Sequence, residues 1–281
     1  MRLFLLISTK FNLILESDRI KMSNKRYQYI IKTQFLGFRY SGWQKQPGQR
    51  TIEGMLLKTL KFILPQSTVK ILGAGRTDAK VSAKEAAFEL FTDTEITNTS
   101  DFIQLFNANL PADIRIVSCE TTDVDFNIIQ DIRLKEYHYY FSFGSKNHPF
   151  CAPFMANILD VLDIELMKKA AVLFVGTHDY KSYTVRHKKN AKFKRSIISC
   201  ALELNTELTA SFFPEKSYVL KVSGKGFMRY QIRMMMGALI KLGRGELNLE
   251  DIKASLYEDS RLTLNYVAPG SGLILHRTSL N

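Results

Sequence analysis

The feature that most constrains the fold is a glycine-rich segment, Gly73 to Lys80, between two apolar runs. Two glycines precede an arginine, a threonine and an aspartate, and apolar residues flank the segment at Val69–Leu72 and Ala86–Phe91. Short apolar runs next to glycines are typical of strands, and glycine permits tight turns. The segment therefore predicts a tight loop between two strands that presents Asp78 at its tip.

Strand and helix patterns alternate around this loop. Four residues that favour helix N-caps precede amphipathic segments: Thr51, Ser100, Asp163 and Asn248. A further helix is predicted from Phe227 to Leu242, with Arg229 and Arg233 one turn apart on one face. Other strands are predicted at Tyr27–Phe35, Ile114–Cys119, Glu136–Phe143, Ile197–Leu204, Tyr218–Val222 and Leu273–His276.

The order of these elements predicts an α+β protein with two domains, residues 27–130 and 131–281, that have a similar order of strands and helices. We expect mostly antiparallel sheets flanked by helices, with an active-site cleft between the domains. Residues 1–26 are predicted to be an N-terminal extension that is disordered or mis-annotated; in the second case Met22 is the true start and residues 1–21 are not part of the protein.

The charge of the chain favours a polyanionic partner. Lysine and arginine total 39 against 27 acidic residues, which gives a net charge of +12 and a pI of about 9.5. Nucleic acid is the first candidate and an anionic membrane surface the second. The apolar run Leu3–Ile7 is too short to cross a bilayer, so no membrane partner is expected.

The cysteines and histidines give no sign of a metal site. Three cysteines and five histidines are scattered through the chain without ligand spacing. Widely separated cysteines fit a reducing cytoplasm. We therefore predict no metal ion and a cytoplasmic location.

The glycine loop does not have the pattern of a nucleotide-binding loop. Gly73 and Gly75 begin a dinucleotide fingerprint, but Asp78 occupies the third glycine position and an alternating strand follows where a helix is required. No Gly-Lys-Ser/Thr phosphate loop is present. A nucleotide cofactor is therefore not expected.

Asp78 itself is the alternative centre of a site. A carboxylate beside Arg76 and facing a second arginine would have its ionised form favoured. In a partly dry cleft, such an acid can act as a nucleophile or as the electrostatic partner of a sugar cation. The competing interpretation is a structural aspartate that caps the turn.

Two further features have two interpretations each. Trp43, the single tryptophan, is flanked by amide and basic residues, and the core is favoured over stacking near a nucleic-acid groove. The basic segment Arg186 to Arg195 is either a solvated surface loop or a phosphate contact.

The segment Gly75 to Ala79 resembles the signature of the TruA family of tRNA pseudouridine synthases. Other segments similar to those of the family occur in the family's order between about Tyr27 and the C-terminus. They are Ser41–Gln46, Asn107–Ile114, Tyr137–Tyr139, Phe174–Tyr180, Gly226–Gly237 and Ala268–Leu273.

The resemblance implies an isomerase that detaches uracil from a uridine, rotates it and rejoins it through C5, without a cofactor. The implied substrate is structured RNA, foremost the tRNA anticodon stem-loop. Asp78 matches the catalytic aspartate, which attacks the ribose or the base or otherwise supports a sugar intermediate. Tyr137 matches the tyrosine that packs on the target base and takes part in proton removal, and Arg233 matches the arginine that keeps the aspartate ionised.

The resemblance also implies substrate contacts and an assembly. Arg76 matches the arginine that helps to flip the uridine out of its stem. Further substrate contacts are expected at Thr77, Trp43, Gln44 and Leu273. A homodimer is expected, and affinity for RNA should fall steeply with salt.

Some positions depart from the family pattern. Lys80, Ser82 and Ile129 differ from the family's usual residues, and Glu136 stands where a basic residue is common. These departures motivate a rival interpretation, an RNA-binding protein without activity on the usual tRNA target. Retention of the aspartate, tyrosine and helix arginine argues against this rival.

Overall fold

The computed structural model describes residues 27–123, 125–185, 191–260 and 262–280; the predicted extension 1–26 and part of the basic loop lie outside these ranges. The described residues form ten strands: β1 (Tyr27–Phe35), β2 (Val69–Gly73), β3 (Ser82–Thr92), β4 (Ile114–Thr121), β5 (Ile132–Phe143), β6 (Ala156–Ile158), β7 (Gly176–Asp179), β8 (Lys194–Leu204), β9 (Tyr218–Gly224) and β10 (Leu273–Leu280). Their α-helices are α1 (Ile52–Ile63), α2 (Thr99–Asn109), α3 (Ile164–Ala171), α4 (Gln231–Gly243) and α5 (Leu249–Ala254).

The strands of both sequence halves join in one sheet, in the order β4-β1-β3-β10-β5-β9-β8-β7. Strand β2 pairs with β3, and β6 pairs with β5. Only the β10–β3 and β5–β6 pairs are parallel. The predicted α+β class with mostly antiparallel strands is confirmed. The division into two domains remains a prediction, since the sheet is continuous across residue 130.

Strand β10 joins the strands of the two sequence halves into one sheet. It comes from the C-terminus and lies between β3 of the first half and β5 of the second half. It pairs with β3 at its start, where Ile274 and Leu275 lie opposite Ser82 and Ala83. Because Ser82 and Ala83 follow the Asp78 loop, β10 holds the end of this loop next to β5.

Helix caps were largely predictable. The Thr51, Asp163 and Asn248 side chains each accept a hydrogen bond from a backbone N–H in the first turn of α1, α3 and α5. The prediction of Ser100 as the cap of α2 is wrong. The Asn98 amide oxygen accepts from the backbone N–H groups of Ser100 and Asp101, so the helix begins earlier, at Thr99.

Helix α4 begins four residues later than predicted. Tyr230 has a left-handed backbone with φ of +63°, which cannot continue a right-handed helix, and the helix therefore starts at Gln231. Arg229 consequently lies in the preceding turn, and only Arg233 is on the helix. The predicted shared helical face of Arg229 and Arg233 is wrong.

All five helices contribute to the main hydrophobic core, which covers one face of the sheet. Strand β5 is buried on both faces: Tyr139 and Phe141 belong to the main core, while Tyr140 packs in a smaller cluster with Cys151 and Met155. Strands β6 and β7 were not predicted because three and four residues are too short to show an alternating pattern. Among the described residues, no helix combines the length and apolar character needed to span a bilayer.

Candidate active site

The Asp78 loop connects β2 to β3, as predicted, and is fixed by the segment before α1. The Trp43 backbone N–H donates to the Thr77 carbonyl at 3.1 Å, and the Lys80 N–H donates to the Tyr40 carbonyl at 3.0 Å. Gly42 permits this approach: its φ is +94°, and a Cβ there would lie 2.6 Å from the Thr77 carbonyl oxygen. The loop is therefore anchored through backbone contacts and not only through its own turn.

Arg233 reaches the carboxylate from the other half of the chain. Its Nη1 lies 3.3 Å from Oδ2 of Asp78, and its Nε donates to the Ala268 carbonyl at 2.7 Å. The side chains are only 14% and 18% exposed for Arg233 and Asp78, respectively. A planar guanidinium can make both contacts at once, whereas a lysine ammonium cannot reproduce this fork.

The charge state of Asp78 depends on opposing effects. Burial raises the pKa of the Asp78 carboxyl, and the nearby positive charges of Arg233 and Arg229 offset part of this rise. The arginines favour the ionised form, as the sequence suggested, but burial outweighs them. The carboxyl therefore has a net pKa above its ordinary value.

Tyr137 lies on β5 and is 9% exposed. Its ring meets Phe227 edge-on, with ring centroids 5.4 Å apart and an interplanar angle of 88°. Such aromatic pairs contribute about 0.5–1.5 kcal/mol beyond area burial. Burial and the Asp78 charge raise the pKa of the Tyr137 phenol well above its usual value, so it is protonated at neutral pH.

These residues line one cavity of about 860 Å³ between the Asp78 loop, β5 and the start of α4. Ligand pockets of several hundred cubic ångströms are typical of sites that enclose a small molecule or a flipped base. The predicted residues that line this cavity are Gln44, Arg76, Thr77, Asp78, Tyr137, Arg233 and Leu273. The topology thus brings together residues that are far apart in the sequence.

Trp43 is the predicted contact that does not line the cavity. It is 4% exposed and packs between Phe35 and Phe88. Its indole also lies directly against Gly73, where a Cβ would be 2.6 Å from Nε1. Trp43 is therefore part of the core below the loop, which is the interpretation that the sequence favoured. The prediction of Trp43 as a substrate contact is wrong.

Three further residues line the cavity: Lys135, Arg229 and Gln231. From the sequence, Arg229 was predicted only as a helix residue, and Lys135 and Gln231 were not singled out. The Lys135 ammonium donates to the Ala74 carbonyl at 2.9 Å, and burial lowers its pKa. Its position two residues before Tyr137, on the same face of a strand, is the signal that could have found it. Arg229 is exposed and lines the cavity from the turn before α4. Gln231 caps that turn, accepting from the Met228 N–H at 2.8 Å.

Two buried polar atoms at this cavity have no hydrogen-bond partner among the described residues: Oγ1 of Thr77 and Nε2 of Gln231. A buried polar group without a partner costs free energy, of the order of 1–3 kcal/mol. Both residues line the cavity, so a bound ligand or an ordered water can supply the missing partners.

Comparisons with known proteins point to one family. A family model described as tRNA pseudouridine synthase matches residues 170–279. A tRNA pseudouridine synthase A of Thermodesulfovibrio yellowstonii is 30% identical, over 87% of this chain and 96% of the relative. A tRNA pseudouridine synthase A 1 of Desulfotalea psychrophila is 33% identical, over 86% and 94%. The tRNA pseudouridine synthase A of Exiguobacterium sibiricum is also 33% identical, over 89% and 95%.

The α+β fold, with its large, mostly antiparallel sheet flanked by helices, is that of a pseudouridine synthase. Similarity of this extent covers nearly the whole described chain. The chain belongs to the TruA family of tRNA pseudouridine synthases.

Proposed function

We propose that this protein converts uridine to pseudouridine in tRNA and that its target lies in the anticodon stem-loop. The observation that carries the proposal is the meeting of Asp78, Arg233 and Tyr137 in one cavity. The family membership and the net charge of +12 support an RNA substrate.

The reaction requires a uridine to leave its helical stem, which costs a few kcal/mol of unstacking. The N1–C1′ bond then breaks, the uracil rotates, and a C5–C1′ bond forms as the C5 proton is lost and N1 gains a proton. Asp78 supplies the negative charge that attacks the ribose or the base. Arg233 holds this carboxylate in position and favours its ionised form.

Tyr137 has a supporting role in this proposal. Its raised pKa keeps the phenol neutral, so it cannot act as a base before its own proton has left. We assign it to packing on the target uracil and to a hydrogen bond that assists proton transfer. Its edge-on contact with Phe227 holds the ring against rotation.

The remaining cavity residues contact the RNA. Arg76 is exposed and makes no hydrogen bond or ion pair with a described residue, so its guanidinium is free to enter the stem or to bind phosphate. The Thr77 hydroxyl is buried and has no partner, and we assign it to a hydrogen bond that forms with the flipped nucleotide when RNA binds. We assign Gln44 and Leu273 to the cavity wall around the base.

The departures from the family pattern lie away from this cavity. Ser82 is buried, and its Oγ accepts from the Gly37 backbone N–H at 2.9 Å. The Lys80 ammonium lies over the Phe38 ring, and Ile129 is exposed. None of these three side chains lines the cavity, which favours an active enzyme over an RNA-binding protein without activity.

The assembly rests on the family resemblance, and the location rests on the resemblance and on the cysteines. We propose that the protein is a homodimer in the cytoplasm. The three cysteines are free and buried, which fits a reducing compartment. Sedimentation of the purified protein tests the dimer.

Pseudouridine mapping of total RNA from cells with and without the gene tests the proposed function. Loss of sites in tRNA anticodon arms is the expected result. Loss of pseudouridine sites in other RNAs would mean that the proposed reaction is right and that the proposed substrate is wrong. No lost site, together with no pseudouridine formed by purified protein on tRNA transcripts, would favour the binding-only alternative.

A further inference from the structure

We propose that Glu136, His138 and His276 form a binding site for a divalent transition-metal ion, with Zn²⁺ as the first candidate. One donor atom of each side chain lies within 4.8 Å of the other two. Two imidazoles and one carboxylate are a ligand set that Zn²⁺ and neighbouring metals accept, with water completing the coordination. Neither the fold nor the proposed isomerisation requires such an ion.

The site lies on the sheet face opposite the active site. Tyr137 points into the active-site cavity, and successive side chains of a strand point to opposite faces. Glu136 and His138, on either side of Tyr137 in β5, therefore face away from the cavity. An ion bound there would not touch the RNA base in the active site.

His138 is the preorganised member of the site. It is 2% exposed, with Nε2 2.8 Å from Oε1 of Glu136 and Nδ1 3.1 Å from the Tyr140 hydroxyl. Two donor atoms bound to one Zn²⁺ lie roughly 3 Å apart, given metal–ligand distances near 2.1 Å. The Tyr140 contact on the second nitrogen is the outer-shell hydrogen bond that commonly orients a metal-binding histidine.

His276 approaches from β10. Pairing of β10 with β5 shifts between Leu275 and Arg277, so His276 is the extra residue of a bulge. Its ring stacks on His138, with centroids 3.8 Å apart and an interplanar angle of 21°. Because the lone pairs of parallel rings do not converge, binding requires His276 to rotate, and it borders a second cavity of about 510 Å³ that gives it room.

Two lysines lie near the site, and one of them is neutralised by carboxylates. Lys84 borders the same cavity as His276. Lys221 is the residue opposite His138 in the register, but its ammonium lies 3.1 Å from Glu203 and 2.8 Å from Glu207. Its positive charge is therefore balanced locally. A bound ion would connect β5 to β10. It would stabilise the folded state because it binds the folded chain in preference to the unfolded chain.

Titration calorimetry of the full-length protein, without a histidine tag and after chelator treatment, tests the proposal with ZnCl₂. We expect one Zn²⁺ per chain and a rise in Tm. In His276→Gln and Glu136→Gln, binding should weaken at least tenfold and the Tm rise should disappear. His148→Gln, an exposed histidine outside the cluster, should bind as the wild type does.

Both cluster variants alter side chains that are less buried than His138, so they are expected to fold; retained pseudouridine formation verifies this. Absence of Zn²⁺ binding by the wild-type protein would overturn the proposal. So would unchanged binding in His276→Gln, because the ion would then occupy other groups.

Discussion

The Arg233 guanidinium lies 3.3 Å from the Asp78 carboxylate, although the two residues come from opposite halves of the chain. The same guanidinium donates a hydrogen bond to the carbonyl of Ala268, a residue that precedes β10 in the chain. One side chain thus couples the Asp78 loop, α4 and the approach to β10. The carboxylate is therefore positioned only when all three elements are in place.

Replacement of the carboxylate should abolish catalysis without abolishing binding. We expect Asp78→Asn to lower turnover by roughly 10²–10³-fold or more, since a group that supports the transition state is lost. Its affinity for tRNA, measured by filter binding, should remain close to the wild-type value. Asp113→Asn is a matched control because Asp113 also pairs with an arginine, Arg39, outside the cavity. Normal turnover in Asp78→Asn would refute the assignment.

Activity should depend on the ionisation of Asp78. Its pKa is raised by burial, so the active, ionised form is lost as pH falls through that raised value. Arg229→Gln removes a charge that lowers this pKa, and we expect the acidic limb of kcat/KM to move to higher pH. Arg244→Gln, which alters an arginine paired with Asp160, should leave the limb in place. An acidic limb that does not move in Arg229→Gln would argue against Asp78 as the titrating group.

The Tyr137 hydroxyl is separable from its ring. Tyr137→Phe keeps the contact with Phe227 and removes only the hydroxyl. We expect turnover to fall by about 10²-fold, as for a group in proton transfer, with tRNA affinity little changed. Tyr139→Phe is the control, since the Tyr139 hydroxyl donates to the Pro269 carbonyl and does not line the cavity. Unchanged single-turnover kinetics in Tyr137→Phe would reduce Tyr137 to a packing role.

The unpartnered hydroxyl of Thr77 predicts a functional effect without a loss of stability. Thr77→Val removes a buried polar atom that has no partner, so the free energy of unfolding should stay constant or rise. Turnover on tRNA should fall by roughly tenfold, about the value of one hydrogen bond. Ser118→Ala removes a similar unpartnered hydroxyl outside the cavity and should leave turnover unchanged. Equal kinetics in the two variants would argue against a contact between Thr77 and RNA.

Gly42 tests the anchoring of the loop. Gly42→Ala combines a left-handed backbone with a contact of 2.6 Å to the Thr77 carbonyl, and we expect a loss of about 1–3 kcal/mol in chemical denaturation. Gly48→Ala has a left-handed backbone, φ +68°, but open space around its Cβ, and should lose less. Turnover should fall only in Gly42→Ala. Similar losses in both variants would mean that backbone strain alone matters.

The central residue of the site, Asp78, was predictable because its chemistry is local, whereas Tyr137 and Arg233 were assigned to the site only through the family resemblance. The order glycine, arginine, threonine, aspartate predicts a loop with one presented acid, and alternation along β5 identifies Tyr137 as a strand residue. Most helix caps were predictable for the same reason, since a cap contacts N–H groups two or three residues away. The cap of α2 shows the limit of such predictions. Asn98 and Ser100 lie two residues apart and both can cap a helix, so the sequence does not decide between them.

The sequence by itself determined the types of residue, the α+β alternation and the family. Only the tertiary structure decided which residues are in contact. It placed β10 between the two halves of one sheet, the Trp43 ring below the loop, and the unpartnered atoms of Thr77 and Gln231 at the cavity. It also decided the raised pKa of Asp78, because burial of a carboxyl depends on the elements that cover it. These properties arise from contacts between residues far apart in the chain, which local periodicity and spacing do not encode.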